Sequence, residues 1–149
     1  MTSFGYTLVT EQSGPKDLVR YAVSAERAGF DFEVCSDHFS PWLASQGHAP
    51  HAWTTLGAVA HATDRVDLLT YVTCPTMRYH PAIVAQQAAT LQILADGRFT
   101  LGVGSGKTST NTWSASTDIA LVQVGDDTQD EFLKEAAEPL LAKLRSAWP

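Results

Sequence analysis

The chain has 149 residues, of which 44% are hydrophobic and only 17% are charged, a composition that can bury one ordinary core. The formal net charge of −6 comes without a cluster of Lys and Arg, so we expect neither nucleic acid nor an anionic membrane as a partner. No window approaches an apolar membrane span, and no targeting segment is recognisable. These features predict a single domain over residues 1–149 of a cytoplasmic protein.

The chain contains two cysteines, Cys35 and Cys74. They form no CxxC pair and belong to no His/Cys set with the spacing of a zinc site. We therefore expect two reduced thiols and no bound metal.

The first two thirds of the chain alternate strand-like and helix-like segments. Pro15 suits the first position of a helix, and Gly29 suits its left-handed end. Such alternation predicts a parallel α/β sheet with right-handed crossovers. Hydrophobic periodicity places strands over residues 4–9, 31–36, 66–73 and 98–103, and helices over 15–29, 53–63 and 80–94.

The last third begins with a change of composition. Eight of the thirteen residues over 105–117 are Ser or Thr, which predicts an irregular linker. A further strand is predicted over 118–125 and a helix over 128–148, in which Pro139 predicts a kink or break. The total is about five strands and four helices.

Polar motifs follow the predicted strands, where a parallel α/β protein builds its sites. The loop after the second strand contains Ser36-Asp37-His38-Phe39 and Trp42, and continues to Gly47-His48-Ala49-Pro50. Thr73-Cys74-Pro75 follows the third strand, with Arg78 and His80-Pro81 beyond it. The fourth strand runs into Leu101-Gly102-Val103-Gly104-Ser105-Gly106.

In order and spacing these motifs resemble the luciferase-like F420-dependent oxidoreductases, and among them the glucose-6-phosphate dehydrogenase-like subgroup. The resemblance implies a (β/α)8 TIM-type barrel that transfers hydride between an alcohol or sugar-phosphate-type substrate and the deazaflavin F420. FMN is the less favoured cofactor. The chain is shorter than such a barrel, so we expect an internally shortened, incomplete barrel. Residues 1–106 would form its first four units, and residues 118–149 its final strand and helix.

The resemblance also implies roles for individual residues. His38 would take the substrate hydroxyl proton, a step that suits an imidazole, with Trp42 and Glu11 as further catalytic residues. Cofactor contacts would come from six residues: Asp37, Tyr71, Val72, Cys74, Ser105 and Gly106. A backbone bulge would lie at Tyr71-Val72.

Some positions depart from the family pattern. Lys107 stands where the family has a glutamate, and Tyr71 would project toward the deazaflavin from the same strand face as Leu69. Glu33 shares a strand face with Cys35 and Asp37, which suits a barrel interior only if that interior is wet.

Two other functions stay open. The first is a non-catalytic half-barrel scaffold, either engineered or a truncated fragment. The second is a P-loop nucleotide binder, because residues 101–108 follow a strand and end in Gly-Lys-Thr. However, Leu101 stands where that motif needs Gly.

The topology predicts open sheet edges. In a closed barrel the last strand pairs with the first, although the linker is long enough for pairing beside strand four instead. Either arrangement leaves two open edges, which invite further pairing. We expect a homodimer in which two half-barrels cover each other's open faces.

Overall fold

The computed structural model describes residues 2–104, 119–121, 130, 133–134 and 137–147. Strands and helices alternate through this part of the chain, which confirms the α/β class. The elements are β1 (Phe4–Leu8), α1 (Pro15–Ala28), β2 (Phe32–Cys35), α2 (Ala52–Ala62), β3 (Asp67–Thr70), α3 (Pro75–Arg78), α4 (Pro81–Leu94), β4 (Phe99–Thr100), β5 (Ile119–Leu121) and α5 (Ala137–Ala147).

The five strands form one parallel sheet in the order β4-β3-β2-β1-β5. Of the two pairings left open by the sequence, β5 takes the one beside β1, with Phe4 opposite Ile119. A last strand next to the first is the order expected of an incomplete barrel. Strands β4 and β5 are the two outermost strands of this sheet.

The two faces of the sheet differ in how they are covered. Tyr6, Glu33, Leu68 and Phe99 are aligned across four strands, and the Phe99 ring lies 5.6 Å from that of Trp53 in α2. This face therefore packs against the helices and forms the core. The opposite face carries the alternate residues of each strand, and on its β2 to β4 part several of them are half-buried or exposed: Phe32, Asp67, Leu69 and Thr100.

Helix α1 shows how the local sequence sets an element. Pro15 occupies its first turn, and Gly29 ends it at φ 96°, a left-handed conformation that favours glycine. Its buried side chains recur at helical spacing and face the sheet: Leu18, Tyr21, Ala22, Ala25 and Ala28.

Some predicted boundaries are wrong. No helix was predicted between residues 73 and 80, but Pro75–Arg78 forms the single helical turn α3. The kink or break predicted at Pro139 stays a prediction, since the described helix α5 begins at Ala137 and has Pro139 in its first turn. A proline is tolerated there, since its missing N–H would have no partner within the helix.

The expected environment of Glu33 is also wrong. Its side chain is aligned with the helix-facing row of the sheet rather than with the barrel interior, and it is 0% exposed. Alternation along a strand shows which residues share a face, but not which face the helices cover. Glu33 is therefore shielded from bulk solvent.

Both Cys35 and Cys74 are free thiols, as predicted. None of the described helices has both the length and the apolar content that crossing a bilayer requires. The linker over 105–117, Ser105, Gly106 and Lys107 lie outside the described residues.

Candidate functional site

The loops that follow β1, β2 and β3 meet at the carboxyl edge of the sheet. The loop after β1 contributes Glu11, the loop after β2 contributes Asp37 and His38, and the segment after β3 contributes Thr73 and Arg78. Parallel strands bring these side chains together because all their carboxyl ends lie at one edge. Two connected clusters result.

The first cluster is built around Glu11, which is only 2% exposed. One carboxylate oxygen, Oε1, contacts His38 Nδ1, and the other, Oε2, accepts a 2.8 Å hydrogen bond from Ser36 Oγ. Ser36 Oγ in turn lies 2.8 Å from Thr10 Oγ1 and accepts a hydrogen bond from the Thr10 amide at 2.9 Å. The structure therefore brings together two of the predicted catalytic residues, Glu11 and His38.

This contact determines which imidazole nitrogen is available. An ionised carboxylate can only accept, so with Glu11 in that form it is Nδ1–H of His38 that donates to it. Partial burial of the ring, together with the positive charge of Arg78, lowers the pKa of His38. A neutral ring with the proton on Nδ1 leaves Nε2 as a proton acceptor, and within the described part of the chain Nε2 makes no hydrogen bond. The arrangement suits a general base.

Trp42 lies beside this histidine. The two ring centroids are 4.8 Å apart, with an interplanar angle of 47°. The indole is 76% exposed, and its loop also exposes Phe39 and Leu43. The imidazole therefore has an aromatic wall that remains open to an incoming molecule.

The second cluster surrounds Asp37, whose side chain is 0% exposed. Oδ2 accepts from Thr73 Oγ1 at 2.8 Å, and Oδ1 accepts from Arg78 at 2.9 Å and from the Tyr79 hydroxyl at 3.2 Å. A further Arg78 nitrogen donates to the Asp37 backbone carbonyl at 2.8 Å. Asp37 was predicted to contact a cofactor, and in the structure both of its carboxylate oxygens accept hydrogen bonds from groups of the chain itself.

Tyr79 remains a donor in this cluster. Burial and the nearby Asp37 carboxylate raise the pKa of Tyr79 to about 12. Its hydroxyl also accepts a 2.8 Å hydrogen bond from Arg78. Tyr79 therefore keeps its hydroxyl proton at neutral pH.

The segment after β3 lies beside both clusters. The peptide bond between Tyr71 and Val72 is cis, at the position where the resemblance implies a backbone bulge. Tyr71 is 36% exposed, and Cys74 is half-buried. A Cβ at Gly104 would lie 2.6 Å from Val72 Cγ2 and 3.1 Å from Cys74 Sγ, so a glycine lets this strand end approach closely.

The supporting residues were not assigned roles from the sequence. Ser36 and Thr10 hold Glu11 in place, whereas Arg78, Thr73 and Tyr79 hold Asp37. The available signal was position, since all five lie in the segments that follow β1, β2 and β3. Among the described residues no group of three or more His, Cys, Asp or Glu side chains could hold a metal ion.

Fold and site together define a class: a partial α/β barrel with a carboxylate-oriented histidine at the carboxyl edge of its sheet. The family model described as luciferase-like monooxygenase matches residues 1–140. The chain belongs to this family, which confirms the resemblance read from its motifs.

Two curated relatives are F420-dependent glucose-6-phosphate dehydrogenases. The protein of Beutenbergia cavernae is 55% identical over 107 residues, and that of Amycolatopsis mediterranei is 51% identical over 107 residues. Each match covers 72% of this chain but 32% of the relative. The chain therefore spans about a third of the length of the curated relatives that it matches.

Solved structures of F420-dependent enzymes are also similar to this chain over about a third of their own length. An F420-dependent secondary alcohol dehydrogenase in complex with an F420-acetone adduct superimposes with a TM-score of 0.68 at 44% identity, over 70% of this chain and 32% of that one. The coenzyme F420-dependent tetrahydromethanopterin reductase of Methanopyrus kandleri gives a TM-score of 0.60 at 28% identity, over 70% of this chain and 27% of its own. The incomplete barrel is thereby confirmed as the fold.

Proposed function

We propose that this chain carries the proton-transfer edge of an F420-dependent oxidoreductase, which moves hydride between an alcohol or sugar-phosphate-type substrate and the deazaflavin. The observation that carries the proposal is the contact between buried Glu11 and His38 Nδ1, which leaves Nε2 as the ring nitrogen available to accept a proton. Relatives named as F420-dependent dehydrogenases support the same chemistry.

His38 is the proton acceptor in this proposal. When an alcohol is oxidised, its hydroxyl proton must leave as its C–H hydride departs, and Nε2 is the site that takes the proton. Glu11 orients the ring and stabilises the imidazolium that forms. F420 supplies the hydride acceptor when it is bound.

The described residues fit such a cofactor only in part. Trp42, Tyr71 and Val103 are exposed at 76%, 36% and 59% around the site edge, and offer apolar surface to a flat ring. Asp37 offers no free oxygen, because its carboxylate is fully engaged within the chain. We therefore assign cofactor contact to this apolar surface rather than to Asp37.

A binding titration tests the first half of the proposal. Purified chain is titrated with F420 and, as the matched comparison, with FMN, while quenching of the total fluorescence of its four tryptophans, Trp42 and Trp53 among them, is followed. We expect F420 to quench at tens of micromolar and FMN to quench less. If neither cofactor binds in this range, the non-catalytic half-barrel is the better description of the chain.

A variant tests the second half. His38→Asn removes the proton acceptor while keeping a polar side chain of similar size. We expect F420 affinity within a factor of about three of the unmodified chain, and loss of any hydride transfer to an alcohol by about a hundredfold or more. Loss of F420 binding in this variant would instead make His38 a binding residue and contradict the base assignment.

A further inference from the structure

The segment after β3 reaches across the site edge to the residue that precedes His38. Arg78, in the single turn α3, donates to the Asp37 backbone carbonyl at 2.8 Å and to its carboxylate at 2.9 Å. A guanidinium can make both bonds at once because its donors form a rigid fork. One side chain therefore holds both the main chain and the side chain at this point of the loop.

This attachment is largely shielded from water. The Asp37 side chain is 0% exposed and the Arg78 side chain 24% exposed. The guanidinium also lies over the Tyr79 ring, 4.9 Å from its centroid. Thr73 takes the remaining carboxylate oxygen, so the Asp37 carboxylate is bonded on both sides.

His38 is thus held from two directions. Its ring is held by Glu11 from the loop after β1, and its backbone is held through Asp37 by the segment after β3. Loop 39–43 beyond it carries three exposed apolar side chains, Phe39, Trp42 and Leu43, and these give it no buried anchor.

We infer that Arg78 is a positioning residue that acts through Asp37 to hold the His38 ring against Glu11, with Nε2 directed outward. Its importance for proton transfer rests on the proposed function, but its effect on the ring does not. Asp37 is accordingly an internal anchor rather than a cofactor ligand.

The test uses the full chain without any cofactor, labelled with ¹⁵N in its histidines. NMR shifts of the ring nitrogens report the tautomer of His38, and a pH titration reports its pKa. The variants are Arg78→Met and Arg78→Lys. Arg27→Met is the matched control, because Arg27 is an exposed arginine in the last turn of α1.

In the unmodified chain and in Arg27→Met we expect the Nδ1–H form to predominate. In Arg78→Met we expect the Nε2–H form to become the major one, and the pKa of His38 to rise because the nearby positive charge is gone. Arg78→Lys keeps the charge but not the fork, so we expect an intermediate tautomer ratio with a pKa close to the original.

Asp37→Asn provides the second line of evidence, and serves as well if Arg78→Met does not fold. If Arg78 acts through Asp37, the tautomer change in the Arg78→Lys/Asp37→Asn double variant should be smaller than the sum of the two single changes. An unchanged His38 tautomer in every folded Arg78 variant would overturn the inference, whether or not the pKa changes, because loss of the charge alone shifts the pKa. Failure of F420 to bind leaves these readouts in place, and so bears on the proposed function alone.

Discussion

Glu33 and Asp37 are both buried carboxyl groups in or just after strand β2, at 0% and 3% exposure, yet their surroundings are opposite. Asp37, at the carboxyl edge, is paired with Arg78 and bonded by Thr73 and Tyr79. Within the described residues neither oxygen of Glu33 has a hydrogen-bond partner. The carboxyl group at the site edge is therefore fully hydrogen-bonded, whereas burial without a partner favours the neutral form of the carboxyl group between the sheet and the helices.

The largest expected effect comes from Glu33. Burial, reinforced by the Glu26 carboxylate and opposed by Arg98 and Arg65, raises the pKa of Glu33 to about 8. In the unfolded chain the pKa is about 4.3. Between these values the folded chain retains a proton that the unfolded chain has released, so stability falls as pH rises through this window and is lowest above the folded pKa.

We expect Glu33→Gln to remove this dependence. At pH 9 the substitution should raise the free energy of unfolding by up to about 4–5 kcal/mol relative to its effect at pH 4, measured by urea denaturation across the range. Glu26→Gln is the control, because the ionisation of Glu26 should affect the pH dependence of stability in the opposite direction. Burial opposes ionisation of Glu26, but hydrogen bonds from the amides of Val66, Arg65 and Asp64 outweigh it and lower its pKa. Equal pH dependence in Glu33→Gln and the unmodified chain would contradict the neutral acid.

Removing the paired carboxylate should also be costly. Asp37→Ala leaves Arg78 without its anion in a largely buried place, and we expect it to lower the free energy of unfolding by about 3–5 kcal/mol. Asp64→Ala, at an exposed aspartate, should change it by less than about 0.5 kcal/mol. Similar losses in the two variants would mean that the network at the site edge contributes little to stability.

The contrast also shows what the sequence could predict. Gly29 and the apolar stripe of α1 identified that helix because capping and periodicity are local signals. The side of the sheet that Glu33 occupies depends on which face the helices cover, and alternation cannot show that. The four residues of α3 are too few for a periodic pattern, so the turn carrying Arg78 was missed.

The same distinction between local signals and long-range contacts applies to the site. Asp37 and His38 were found because their motif is contiguous and resembles a family. The pairing of His38 with Glu11 joins residues 27 positions apart, and only that resemblance suggested Glu11. The partners of Asp37 lie 36 to 42 positions away. Contacts of this kind depend on strand register and on side-chain direction, which single residue types do not encode.

A smaller effect is expected from association of two chains through the sheet face that carries no helices. Leu69 and Phe32 are half-buried on the face without helices, and we expect a second copy of the chain to cover it. The free energy of unfolding should then rise by about 1.4 kcal/mol per tenfold increase in protein concentration, and light scattering should show a dimer. Leu69→Asp should yield a monomer, whereas Leu94→Asp on the outer surface of α4 should not. A monomer at every concentration tested would contradict this expectation.

The smallest effect on stability is expected at Trp42. Comparing Trp42 with Trp53 distinguishes a residue of the site from a residue of the core. Trp42 is 76% exposed and Trp53 is 6% exposed. Trp42→Ala should therefore change the free energy of unfolding by less than about 0.5 kcal/mol, whereas Trp53→Ala should cost about 3–5 kcal/mol. If the indole serves as a wall for a bound ring, Trp42→Ala should still weaken F420 binding severalfold. A large stability loss at Trp42 would instead mean that its contact with His38 holds the loop together, and would assign the tryptophan to folding rather than to binding.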